Sequence, residues 1–266
     1  MAEVDNVSLQ EDTPATNLNL VLTIDRVIGG YANNLGLKKN DVIAGVNGEP
    51  FYGTRKEFNG LFDFEDDDSS AMSPIVLTIE REGAFFNVIA EMRVICAFKE
   101  IDPTFSADLE DFQTKLRNAT SKELSEYLIY YDINKNADIL AKSRSLMAMV
   151  APPLWLLNQR VPEAAAVSVL AGVLTFAVHP ILGAIYYAIL CLYVGREQMN
   201  LAMSFMNFKR MIFLQPIAAT SELEAQETAI AIDNALYFIL PSHGLTQVKP
   251  KKRKKTNKNP NVPEVA

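Results

Sequence analysis

Apolar and polar positions alternate at the start of this chain, where Leu20, Leu22 and Ile24 read as a strand that Gly29-Gly30 breaks. A short helical turn over 31–35 follows, and Gly36 supplies a left-handed cap. Residues 41–46 read as a second strand, closed by Asn47-Gly48, a strong tight-turn signal. Thr54-Arg55-Lys56-Glu57 is a capping box, so a helix starts there and carries Phe58 and Phe62 inward. Ile75, Leu77 and Ile79 alternate again, Arg81-Glu82-Gly83 turns the chain, and 84–95 returns as the partner strand.

Charges become frequent over 99–145, and the spacing there predicts helices over about 106–117, 121–130 and 135–145. Phe105, Leu109, Phe112 and Leu116 fall on one stripe, and Thr120-Ser121-Lys122-Glu123 repeats the capping signal. Residues 146–157 are apolar around Pro152-Pro153 and Trp155, too short to span a bilayer and better suited to its interface. Residues 162–178 and 181–195 are nearly uncharged and are separated by His179-Pro180. One straight helix over both would be about 50 Å long at ~1.5 Å per residue, against a hydrocarbon core of about 30 Å. The expectation is therefore a two-helix membrane hairpin, with Gly172 and Gly183 allowing close approach. The competing reading, a helical hairpin buried in a soluble domain, draws on the shortness of each run. Met199, Met203, Met206 and Phe208 give the next helix an apolar face, and Ser221-Glu222-Leu223-Glu224 opens a last helix, to about Leu240.

Charge refines this picture. The net charge of −7 over 266 residues hides an acidic cluster at Glu65 to Asp68 and a basic one from Lys249 to Lys258. Lys142, Arg144 and Arg160 precede the hairpin, Arg196, Lys209 and Arg210 follow it, and its turn has no Lys or Arg. The first 19 residues have no secretory pattern. Both termini are expected on the cytoplasmic side of a cell inner membrane. Lys251, Lys252, Arg253, Lys254 and Lys255 then become candidate contacts for anionic lipid, with Trp155 at the interface. Nucleic-acid contact and plain solubilisation are the other readings of that tail.

Candidate chemistry is sparse. His179 and His243 are the two histidines, and Cys96 and Cys191 the two cysteines. No HExxH, G-x-S-x-G or phosphate-cradling G-x-x-x-x-G-K occurs. The consecutive acids lack the spacing of a cation loop. No enzymatic activity, cofactor or metal is expected.

The run Leu35-Gly36-Leu37-Lys38-Lys39-Asn40-Asp41-Val42-Ile43, followed by Val46-Asn47-Gly48-Glu49-Pro50, resembles bacterial PDZ domains, and the resemblance covers about 18–97. It implies a small β-sandwich or barrel with capping helices that adds an extended peptide to an exposed strand edge. The candidate edge carries Leu20, Leu22 and Ile24, and the candidate wall carries Arg55, Phe58 and Asn59. Leu22, Ile24 and Phe58 suit a core role equally well. Segment 13–18 stands where such domains place a glycine-rich carboxylate loop, and it has no glycine. Ala151-Pro152-Pro153-Leu154-Trp155, the apolar pair, Gly195-Arg196-Glu197 and Ala218-Ala219-Thr220-Ser221 are similar to a small uncharacterised bacterial membrane-domain family.

The expected protein is thus α+β. A disordered tail (1–17) leads to a PDZ-like domain (18–97), a helical linker (98–145), a membrane hairpin domain with a cytoplasmic strand–helix unit (146–240), and a basic disordered tail (241–266). Its expected role is a membrane-anchored adaptor or scaffold for a protein or peptide partner, touching membrane lipids. The alternative is a structural subunit of an inner-membrane complex or a bilayer-shaping protein.

Overall fold

The computed structural model describes residues 20–62, 74–102, 109, 114, 124–159 and 161–247. The chain is α+β, with two sheets and seven helices among the described residues. It divides into two units, Met1–Leu124 and Ser125–Ala266. The first tail, the acidic cluster, most of the stripe from Phe105 to Leu116 and the C-terminal tail from 248 on lie outside the described residues, while 241–247, expected as disordered, is held by Ser242 N–H to Gln226 and by Gln247 to Phe238.

The first unit holds β1 (Val21–Val27), α1 (Gly30–Asn34), β2 (Val42–Val46), β3 (Glu49–Pro50), α2 (Arg55–Gly60), β4 (Ile75–Arg81), β5 (Ala84–Ala90) and β6 (Cys96–Ile101). Its sheet runs β5-β4-β2-β1-β6, with β3 paired to β2, and each of these pairs is antiparallel. The turns are where the residue types require them. Gly36, Asn47, Gly48, Glu82 and Gly83 all have positive φ. Asn47 also fixes β2 to β4: its N–H donates to the Val76 carbonyl at 2.7 Å, and its Oδ1 accepts from the Val76 N–H at 2.9 Å.

A buried ion pair ties the two halves of this sheet. Arg81 Nε and Nη2 each donate to Asp41 at 2.7 Å, to Oδ1 and Oδ2 respectively, and Nη2 also donates to the Gly36 carbonyl at 2.7 Å. Asp41 Oδ2 accepts from the Lys38 N–H at 2.7 Å as well. The guanidinium lies 4.9 Å from the Phe86 ring centroid. Every polar atom of the carboxylate is therefore answered, the condition under which a buried charge is tolerated.

The second unit departs most from the sequence reading. Ser125–Tyr131 and Asn136–Ala141, expected inside a helical linker, are strands β7 and β8. Tyr127, Leu128, Ile129, Tyr130 and Tyr131 favour a pleated, half-buried surface over a helix. With β9 (Ile212–Ala219) and β10 (Tyr237–Phe238) they form a sheet in the order β10-β8-β7-β9. The last helix, α7 (Glu222–Ile232), starts at its Ser221 cap as expected but ends well before Leu240. The first unit also outruns its expected end at 97, because β6 continues to Ile101.

Both faces of this second sheet are covered. Ile129, Ala137, Ile217 and Ala219 pack with Ala225 and Ala229 of α7. Leu128, Tyr130 and Leu140 pack on the other side with Trp155, Leu156, Ala165, Val194, Ala202 and Met206. Those residues come from α4 (Pro152–Asn158), α5 (Pro162–Val178) and α6 (Pro180–Phe208), while α3 (Leu146–Val150) adds Ala148.

The expected membrane hairpin is overturned. Among the described residues no helix is long and apolar enough to cross a membrane. Helix α5 has 17 residues, about 25 Å at ~1.5 Å per residue, short of a core of about 30 Å. Helix α6 has 29 residues, but its uncharged run ends at Arg196-Glu197, and Gln198, Ala202 and Met206 beyond that point are buried. The separate amphipathic helix expected after Arg196 is this same continuous helix. The inner-membrane placement with two cytoplasmic termini rested on the hairpin and falls with it. Trp155, expected at a lipid interface, is 2% exposed and belongs to the core. Lys251 to Lys255 lie outside the described residues.

Candidate functional site

Strand β1 was the expected peptide edge, and it has no free side. It is paired to β2 through Leu22↔Ile43 and to β6 from Val21↔Ile101 through Val27↔Cys96. Leu22 and Ile24 are fully buried. The Leu20 carbonyl accepts from the Gly53 N–H at 3.1 Å. These three residues belong to the core and its margin.

Among the described residues the outermost strand on this side is β6. Its orientation follows from β1. The Ile24 N–H donates to the Asp41 carbonyl at 2.8 Å, and its carbonyl accepts from Asn40 at 2.7 Å, so Ile24 faces β2. Backbone groups alternate sides along a strand, so Val21 and Thr23 face β6. Their partners Ile101 and Lys99 face back, as does Ile95, whose carbonyl accepts from Ile28 and Gly29 at 3.3 and 3.0 Å. The backbone N–H and C=O groups of Cys96, Phe98 and Glu100 therefore point away from the sheet. Among the described residues no strand pairs with them.

Helix α2 stands beside this edge. Its capping box is complete: Thr54 N–H donates to Glu57 Oε2 at 2.6 Å, and Glu57 N–H donates to Thr54 Oγ1 at 3.4 Å. The bond from the Thr54 backbone, then the one from its hydroxyl, holds the Glu57 carboxyl below its ordinary value. Phe58 is the hub on the inner side of α2. Its ring lies 5.1 Å from Phe98, 5.4 Å from Phe62 and 5.8 Å from Phe51, all edge-on. Such packing fixes the distance between helix and strand. Arg55 is exposed and Asn59 half-buried on the same helix. Phe58, expected on a groove wall opposite Leu20 to Ile24, is fully buried and roots α2 against Phe98 of β6.

Sequence reasoning missed Cys96, Phe98 and Glu100. A signal was present: Val94, Cys96 and Phe98 continue the period of two beyond Ile95, where the strand was ended. The Cys96 thiol is pushed up to about 11 by burial, which keeps it a thiol and not a thiolate at neutral pH.

The second unit offers a different surface. An apolar groove of about 680 Å³ runs between α5 and α6, lined by Val169, Gly172, Val173, Phe176, Tyr187 and Leu190 among others. Tyr186 and Tyr187 turn their hydroxyls onto the carbonyls of Ser168 and Val150, at 3.0 and 2.7 Å. No group of three or more potential metal ligands stands together among the described residues. No family model, curated protein or solved structure matches this chain.

Proposed function

We propose that the first unit is a strand-addition recognition module, and that the chain works as an adaptor which holds an extended segment of a partner protein along β6. One observation carries this reading. Among the described residues the outward backbone of Cys96, Phe98 and Glu100 pairs with no strand, and it is flanked by a helix that meets β6 through the Phe58–Phe98 contact. An exposed strand edge is a template for a further strand, and a neighbouring helix gives side-chain pockets a second wall. The likeness of the Gly36, Asp41 and Asn47-Gly48 turns to those of bacterial PDZ domains supports the same reading. The other end strand, β5, has no such helix among the described residues.

Two proline substitutions test it. Glu100→Pro removes an outward N–H and leaves the pairing to β1 intact, the position at which an edge strand accepts proline. Lys99→Pro removes an N–H that bonds β1. Strand-forming peptides selected from a library against the full chain should lose about tenfold or more in affinity for Glu100→Pro, about 1.4 kcal/mol. The circular dichroism of that variant should match the parent, whereas Lys99→Pro should lose stability. Peptides that bind Glu100→Pro as well as the parent would overturn the assignment of the edge.

A further inference from the structure

Resting on the strand-addition reading, we infer that the β6 edge takes an internal segment of its partner, antiparallel to β6 and continuing past Cys96, and not a C-terminus that stops there. A terminal carboxylate at that end would need a cluster of backbone donors, which a nest of alternating right- and left-handed residues provides. The connection from β5 to β6, residues 91–95, contains no glycine and no residue of positive φ. Its first donor is already used: the Glu91 N–H donates to the Tyr31 hydroxyl at 2.6 Å. Its last carbonyl holds Ile28 and Gly29, and the Val94 side chain is buried. The connection is built to be packed.

A second observation points the same way. Beyond the Cys96 end of the edge the surface becomes apolar. Ile28 and Ile95 are joined by a backbone bond, and each is more than half exposed, as is Met92 in the same connection. A chain that ended at Cys96 would leave these side chains in water. A chain that ran on would cover them, and burial of apolar surface would add to the ladder bonds. The ligand class is thus an extended internal stretch, with apolar residues where it leaves the strand edge and crosses Ile28 and Ile95.

The experiment uses two dodecapeptide libraries panned against the full chain. One is displayed as an insertion flanked on both sides by coat protein, and the other ends in a free carboxylate. Binders are then synthesised as free acid, as amide, and with a Gly-Ser-Gly-Ser extension, and measured by fluorescence anisotropy on the parent, Glu100→Pro and Ile95→Ser. The expected result is binders from the inserted library, affinities within about threefold across the three peptide ends, and a loss of fivefold or more in Ile95→Ser. Binders that come only from the free-carboxylate library and lose tenfold on amidation would overturn the inference while leaving strand addition standing. Unchanged binding to Ile95→Ser would overturn the path past Cys96. Binders indifferent to Glu100→Pro, or no binders at all, would overturn strand addition itself, and this inference with it.

Discussion

Replacing Asp41 by alanine tests the energetics of the first unit most sharply. Asp41 is 1% exposed and accepts from Arg81 twice and from the Lys38 N–H once. Its removal takes from the guanidinium, itself 9% exposed, a carboxylate that accepts two of its N–H groups, while the Gly36 carbonyl and the Phe86 face stay beside it. Breaking one side of a buried pair costs about 3–5 kcal/mol, because the remaining charge keeps its desolvation penalty. Replacing both residues, as Asp41→Leu with Arg81→Met, removes that penalty and leaves two unsatisfied backbone groups, on Gly36 and Lys38, at about 1–3 kcal/mol each. The double variant is therefore expected to be no less stable than Asp41→Ala, although it changes more atoms. The assay is native-state hydrogen exchange by mass spectrometry, which resolves the two units. Amides of β1, β2 and β4 should exchange more than a hundredfold faster in Asp41→Ala, the equivalent of about 3 kcal/mol. A cost under about 1 kcal/mol, or a double variant that loses the sum of both single costs, would refute the reasoning.

Three further outcomes follow from single positions. Gly48 has a φ of 82°, so Gly48→Val should destabilise the first unit by more than about 1 kcal/mol, and unchanged exchange protection of β2 and β4 would contradict the turn. A Cβ at Gly183 would lie 2.9 Å from the Phe176 Cα, whereas one at Gly172 would meet only a tyrosine edge at 3.5 Å. Gly183→Ala should thus cost about 1–3 kcal/mol in urea unfolding followed by Trp155 fluorescence, with Gly172→Ala neutral or stabilising, and equal midpoints would refute the close approach of α5 and α6. The folded Glu57 carboxyl titrates below its unfolded value, so its contribution is present above the unfolded value of about 4.3 and is lost as pH falls through the folded one. The Thr54 amide resonance should follow that depressed titration and become flat in Glu57→Gln, whereas an ordinary Glu titration would disprove the capping box.

Much of the first unit could be read from sequence because its signals are local. Asn47-Gly48, Gly36 and the Thr54–Glu57 box each impose a backbone geometry within four residues, and all three stand as expected. The free edge was not legible in the same way. Which strand ends a sheet is a matter of long-range pairing, and Val21↔Ile101 joins residues 80 positions apart. The second unit misled for a related reason. Tyr127 to Tyr131 were read with their charged neighbours, and the strand appears only because β8 and β9 supply partners on both sides. The apolar runs of α5 and α6 have the composition of a bilayer span but not its length, and the buried Ala165 and Val194 show that part of their apolar demand is met by the core on the sheet.

The antiparallel pairing of β6 to β1 also has a mechanical side. Val21 and Ile101 face each other, so the first strand of the unit begins where its last strand ends. Tension applied between the chain segments that leave these two residues pulls them apart at one end of the ladder. The bonds, which lie perpendicular to the strands, are then loaded one pair after another and not all at once. Such a strand peels like a zipper at low force. A pull transmitted through residue 102 would strip β6 from its sheet while the ion pair of Asp41 and Arg81, between β2 and β4, still held. The outer edge of the sheet would be lost before the unit as a whole unfolded.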